Sequence, residues 1–144
     1  MRLSPHLSFN GTCHEAFSFY ENVLNGKIVT MLTYGESPMS TNVQPDWHEK
    51  IIHATLMLHD GVLSGADLPP EQYELPRGFQ ILYQPETPQE SRRVFDALAE
   101  GGKVVIPVQN TFWSPCYGAL VDKFNIPWEI SCESDDSTET QLPD

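Results

Sequence analysis

Five histidines, three cysteines and one aromatic-rich run are the residues of this 144-residue chain with chemistry to offer beyond packing. His53 interrupts "IIHATLML". Its ordinary pKa near neutrality suits proton transfer or a pocket wall, yet a lone imidazole among apolar residues is more often a hydrogen-bonded core histidine. His48 stands beside Trp47 in the polar stretch "GESPMSTNVQPDWHE", from which it could swing over a ligand or simply face water. His14 and His59 fall at an expected helix start and hairpin tip, where exposure is the plain reading. Phe112, Trp113 and Tyr117 crowd into "NTFWSPCYG". They would give a cleft an apolar wall with polar handles, suited to a small organic ligand; core packing or a dimer seam competes. Cys116, in the same run, needs a lowered thiol pKa to act as a nucleophile, and no neighbour in sequence supplies one, so a structural role is expected.

Bulk composition bounds what these residues can serve. A formal net charge of -12, with only eight Lys and Arg, argues against a nucleic-acid partner, because phosphate binding needs clustered cations. An anionic membrane surface is disfavoured for the same reason, and no apolar run approaches a membrane span or a signal peptide. Cys13, Cys116 and Cys132 are odd in number and form no C-x-x-C pair, so neither a disulfide framework nor a cysteine zinc site is signalled. A reducing, cytoplasmic location is expected.

The elements that must position these side chains are written twice. "FYENVLNGKIV" (19–29) is echoed by "FDALAEGGKVV" (95–105), about half the chain away, too far for a solenoid and right for a duplicated half-domain. Around the first copy, "LSPHLSF" reads as a strand closing at Asn10-Gly11. Thr12 with Glu15 offers a capping box for the helix "TCHEAFSFYENVL", and Asn25-Gly26 stops it. Strands at "KIVTMLTY", "KIIHATLML" and "GVLSGAD" follow, the last two joined as a hairpin. After "LPPEQYELPRG" the order restarts: strand "FQILYQ", helix "TPQESRRVFDALAEGG" with Thr87 as cap and Pro88 at its first position, then strands "KVVIPV", "CYGALVD" and "PWEISC".

Two βαβββ units in tandem predict an α+β fold in which each module carries a helix on one sheet face, and the two together form an open, curved mixed sheet around a cleft. The expected boundaries are a single domain over 1–133, with module one about 1–68 and module two about 78–133. An acidic, disordered tail is expected over 134–144.

The chain also resembles a known family. "LSPHLSFNGTCHEAFSFYENVLNGKI", "HATLML", "DALAEGGKVVIPVQNTFW" and "YGALVDKFNIPWEISCE" look like the vicinal oxygen chelate superfamily, which includes glyoxalase I and the fosfomycin- and bleomycin-resistance proteins along with extradiol dioxygenases. "NTFW" together with "DKFNIPW" is specific to its small PhnB-like branch. The resemblance implies the same tandem βαβββ, glyoxalase-like fold. Branch members often carry a name as ubiquinone-pathway methyltransferases. No Gly-rich nucleotide loop follows a strand in this chain, so neither a nucleotide cofactor nor methyl transfer is expected.

In metal-using relatives the ligands come from the first and last strand of each half. Matching Phe9 with Tyr83 sets His6 against Gln80, and "DKFNIPWEI" places Glu129 at the ligand glutamate, which is also the expected catalytic carboxylate. The matching first-half segment offers only Ser64 or Gly65. His6, Gln80 and Glu129 would suit a divalent ion such as Zn, Ni, Mn or Fe, able to polarise a carbonyl or hold an enediolate. A buried carboxylate at 129 must find a metal, a cation or a hydrogen-bond donor. Three functions follow as expectations. One is a metal-dependent lyase, isomerase or oxygenase on a small oxygen-rich substrate; another is a metal-free protein sequestering a small molecule, as bleomycin-resistance proteins do. The third is a non-catalytic member with a structural or regulatory role. A homodimer is expected in each case, since small two-module chains of this superfamily commonly pair.

Overall fold

The computed structural model describes residues 1–133, and the tail expected to be disordered lies outside the described residues. The chain divides into two compact units, Met1–Leu75 and Pro76–Asp144. The first runs β1 (His6–Phe9), α1 (Cys13–Leu24), β2 (Lys27–Thr33), β3 (Ile51–Met57) and β4 (Val62–Asp67). Its sheet has the order β1-β4-β3-β2, with β1 parallel to β4 and the other pairs antiparallel. The second runs β5 (Ile81–Tyr83), α2 (Pro88–Ala99), β6 (Lys103–Gln109), β7 (Tyr117–Val121) and β8 (Pro127–Ser131). Its order, β5-β8-β7-β6, repeats the first, again with the opening strand parallel to the closing one. The βαβββ expectation therefore holds in each unit. Among the described residues no helix is long and apolar enough to cross a membrane.

The duplicated joint keeps its geometry while changing its residues. Asn25 (φ 54) ends α1 in the left-handed region, and Gly101 (φ 75), the aligned position of the echo, does the same after α2. Asparagine and glycine are the residues that tolerate this conformation, which turns the chain from helix into strand. In the first unit Glu21 reinforces the joint by accepting the Ile28 backbone N–H at 2.6 Å.

Each helix covers one face of its own sheet. Ala16, Phe17, Tyr20, Val23 and Leu24 of α1 are buried, as expected from their spacing, and meet Leu7, Phe9, Leu56 and Leu63 in the core. Phe9 and Phe17 stack edge to face at 6.0 Å. In the second unit Val94, Phe95 and Leu98 bury with Leu120, Trp128 and Ile130. Each such side chain contributes about 2 kcal/mol by leaving water. Close approach of helix to sheet requires a missing side chain in both units. A Cβ on Gly65 would stand 2.7 Å from Phe17, and one on Gly118 2.7 Å from Phe95.

Three local expectations need correction. Leu3 is exposed and β1 begins only at His6, because Pro5 has no N–H for the ladder and offers only its carbonyl, to Ser64. Thr12 stands at the α1 N-cap without a side-chain capping bond; the Cys13 N–H is taken instead by Asp67 Oδ1, at 2.9 Å from the end of β4. Thr87, in contrast, caps α2 as expected, accepting from Glu90 N at 3.1 Å. The opening strand of the second unit shrinks to three residues, an edge strand followed closely by Pro85.

Candidate functional site

The sheet face away from α1 collects polar side chains. His6 pairs in register with Ser64, and Ser64 with Thr55, so these three lie in a row across β1, β4 and β3. His53, two residues before Thr55, shares that face. It is exposed, not the core histidine its apolar neighbours suggested: Ile51, Ala54 and Leu56 bury, while the imidazole emerges and meets Thr55 Oγ1 through Nε2 at 3.3 Å. The pKa of His6 is lowered, chiefly by desolvation and then by nearby His53, which favours its neutral form. His48 is held within its own loop, Nε2 lying 2.8 Å from the Ser40 carbonyl, and His14 and His59 are exposed.

In the second unit, the face away from α2 carries Tyr117 and Glu129. Glu129 sits opposite Ala119 on β7 and Leu82 on β5, and Tyr117 is its diagonal neighbour. The Tyr117 hydroxyl donates to Glu129 Oε1 at 2.8 Å, so the donor this half-buried carboxylate had to find is a phenol. Burial first, and the Glu129 contact second, push the Tyr117 pKa up, so the phenol keeps its proton. Among the described residues Glu129 forms no ion pair. Gln80 lies just ahead of β5, exposed, and two residues before Leu82, so strand alternation sets it toward the Glu129 face.

An aromatic ladder adjoins this pair. Trp113 meets Tyr117 at 5.2 Å with planes 70° apart, and Phe112 meets Trp113 at 4.6 Å with planes 81° apart. Core packing is excluded for two of the three rings, since Phe112 is 98% and Trp113 50% exposed. A small turn projects them. Thr111 N donates to the Ser114 carbonyl at 2.7 Å, Ser114 N donates to Thr111 Oγ1, and buried Ser114 ties the turn down by donating from Oγ to the Cys132 carbonyl. Cys116 is buried, and desolvation followed by its contact with Cys132 pushes its thiol up to about 11, the opposite of an activated nucleophile.

The "DKFNIPW" run proves architectural. Asp122 Oδ1 accepts from Phe124 N at 2.8 Å and Ile126 N at 3.0 Å, and Oδ2 accepts the Trp128 indole N–H at 2.9 Å. With Asn125 at φ 70, this clamps the β7–β8 hairpin that presents Glu129. An Asp placed to turn its own backbone was the available sequence signal. Asp67 had none, because its partners Cys13 N and Ile51 N are distant in sequence.

The metal set expected by resemblance is divided between the units: His6 lies in the first, Gln80 and Glu129 in the second. Among the described residues no three His, Cys, Asp or Glu side chains gather. A neutral imidazole and a carboxylate fit a divalent ion by type, with the Gln80 amide oxygen as the weaker third donor. The first-unit counterpart of Glu129 is neither Ser64 nor Gly65. With Phe9 matched to Tyr83, register sets Ala66 opposite Ser8 as Glu129 is opposite Leu82, and alanine cannot ligate.

Two four-stranded mixed sheets, each opened by a parallel strand and backed by one helix, define a glyoxalase-like fold. The family model described as 3-demethylubiquinone-9 3-methyltransferase matches residues 1–131, and the chain belongs to that family, the PhnB-like branch. It is 31% identical to protein YjdN from Escherichia coli over 91% of this chain and 95% of that protein. Protein PA1353 from Pseudomonas aeruginosa superimposes with a TM-score of 0.85 at 39% identity, covering 94% of this chain and 99% of its own. The PhnB protein from Bacillus cereus follows at 0.78 and 25%, covering 92% and 99%. The fold alone is shared with the fosfomycin resistance protein FosX from Listeria monocytogenes, at TM-score 0.65 and 9% identity over 98% of each chain.

Proposed function

We propose that this glyoxalase-like chain binds a small organic molecule on the open face of its second sheet, at Trp113, Tyr117 and Glu129. One observation carries this reading: the Tyr117–Glu129 hydrogen bond adjoins aromatic rings left in solvent at Phe112 and Trp113. Exposed aromatics around an oriented polar pair are the ordinary make-up of a ligand wall. His53, Thr55 and His6 supply the polar face of the first unit. Two copies pair as a homodimer, and the three free cysteines accord with a reducing cytoplasm. Methyl transfer forms no part of the reading, since no Gly-rich loop follows a strand. A thermal-shift screen of small organic compounds tests it, because a ligand at a hundred times its Kd adds about 2.7 kcal/mol to stability. Hits whose shift survives in both Trp113→Ala and Glu129→Gln would remove the site from consideration.

A second reading is a metal-dependent lyase, isomerase or oxygenase on an oxygen-rich substrate, and the fixed orientation of the Glu129 carboxylate under the Tyr117 hydroxyl favours it. Each unit carries donors of its own for a Zn, Ni, Mn or Fe ion, His6 in the first and Gln80 with Glu129 in the second; the ion would supply Lewis acidity, and the Tyr117 hydroxyl would orient the Glu129 carboxylate. Fosfomycin resistance protein FosX is known with Mn(II) and dihydroxypropylphosphonic acid bound, which supports a divalent ion on this fold. Elemental analysis of untagged protein decides: stoichiometric metal lost in His6→Ala and Glu129→Ala supports the metal centre, whereas metal retained by both variants sinks it.

A further inference from the structure

We infer that the ligand of the second-unit face is an organic cation, a small molecule carrying an alkylated ammonium. The assignment rests on the ligand-binding reading above and adds the charge and shape of what is bound.

Three observations converge. Phe112, Trp113 and Tyr117 meet at 81° and 70°, so their planes form walls at steep angles to one another, with successive centroids only 4.6 and 5.2 Å apart. An aromatic face is the negative part of its quadrupole, and rings set at steep angles can turn faces toward a rounded cation in the angle between them, where a parallel stack would offer only a slot for a flat one. The second observation is the charge. Glu129 stands beside the same Tyr117 with no Lys or Arg paired to it among the described residues, and its one hydrogen-bond donor there is the neutral phenol. The phenol fixes the carboxylate in place without neutralising it, leaving its charge to a ligand. The third is exposure: Phe112 and Trp113 stand in water on a turn tied at Thr111 and Ser114, an arrangement that costs apolar hydration unless something covers the rings.

The surrounding field agrees. Twenty acidic residues against eight basic ones draw cations toward the molecule and repel anions. Alkylated ammonium suits the ladder better than a primary amine, because its charge is spread over methyl groups that lose little hydration on meeting aromatic carbon.

The test compares three probes of the same size and shape on the full chain: choline, its neutral carbon isostere 3,3-dimethylbutan-1-ol, and the anion 3,3-dimethylbutanoate. Binding is followed through the Trp113 indole resonance, identified by its absence in Trp113→Phe. Choline should bind roughly tenfold tighter than the neutral isostere. That preference should fall to about twofold or less in Glu129→Gln, which keeps an acceptor for the Tyr117 hydroxyl and removes only the charge. Added salt should weaken choline and leave the alcohol unchanged. If alcohol or anion binds as well as choline, the cation assignment falls while the ligand-binding reading stands. If none of the three moves the Trp113 resonance, the cation assignment falls, and the compound screen alone then judges the wider reading. If sedimentation shows that Trp113→Ala turns a dimer into a monomer, the rings are a subunit seam, and the assignment is overturned.

Discussion

The Asp67 carboxylate at the end of β4 accepts the first backbone N–H of α1, at Cys13, from 54 residues away, and with its other oxygen the Ile51 N–H at 2.8 Å. A buried carboxylate from another strand thus caps the helix where the adjacent threonine does not. Desolvation raises the Asp67 pKa above 3.8, against the pull of the Ile51 and Cys13 N–H groups and of Lys50. The raised value means that Asp67 contributes stability fully below its unfolded pKa and loses it as pH rises through the folded value. Urea unfolding of wild type and Asp67→Asn across the acid range should therefore show the variant gaining relative stability with rising pH. A constant difference would show that the ionisation is not coupled to folding.

The two helix starts should respond differently to the same substitution. Thr87→Ala removes the acceptor of Glu90 N and should cost about 1 kcal/mol. Thr12→Ala removes no capping bond and should change stability by no more than about 0.5 kcal/mol. Equal losses in chemical denaturation would contradict the assigned caps.

Asp122→Ala removes the acceptor of two backbone N–H groups and of the Trp128 indole, and should destabilise by about 3 kcal/mol. Trp128→His or Trp128→Phe also empties part of the core, so the cleaner partner variant is Asp122→Asn. It keeps an acceptor oxygen for some of these donors, and its loss should be the smaller one. A larger loss for Asn than for Ala would refute the clamp.

Cys116, with a thiol pKa pushed up to about 11, should resist alkylation in the folded protein at pH 8 and label rapidly once unfolded in urea. Fast native labelling at Cys116, read by mass spectrometry, would reopen its role as a nucleophile.

The match between Asn25 and Gly101 explains why so much of the fold was legible. Residues that tolerate a left-handed turn, followed by β-prone Lys-Ile-Val and Lys-Val-Val, specify a local joint, and local joints are written in neighbouring residues. Helix periodicity named the buried side of α1 for the same reason. His53 shows the limit. Its run looks continuously apolar, and which side of a strand faces the helix depends on the register with β2 and β4, where Leu32 and Ser64 stand across from His53 and Thr55.

By itself the sequence determined a doubled βαβββ order, the helix ends and the aromatic segment, because each follows from propensity and spacing within a few residues. Tertiary structure alone decided that Asp67 caps α1, that Tyr117 is the partner of Glu129, and that Phe112 and Trp113 stand in water. These are contacts between strands distant in sequence, or consequences of which face packs against a helix. Such contacts exist only once the chain has closed on itself.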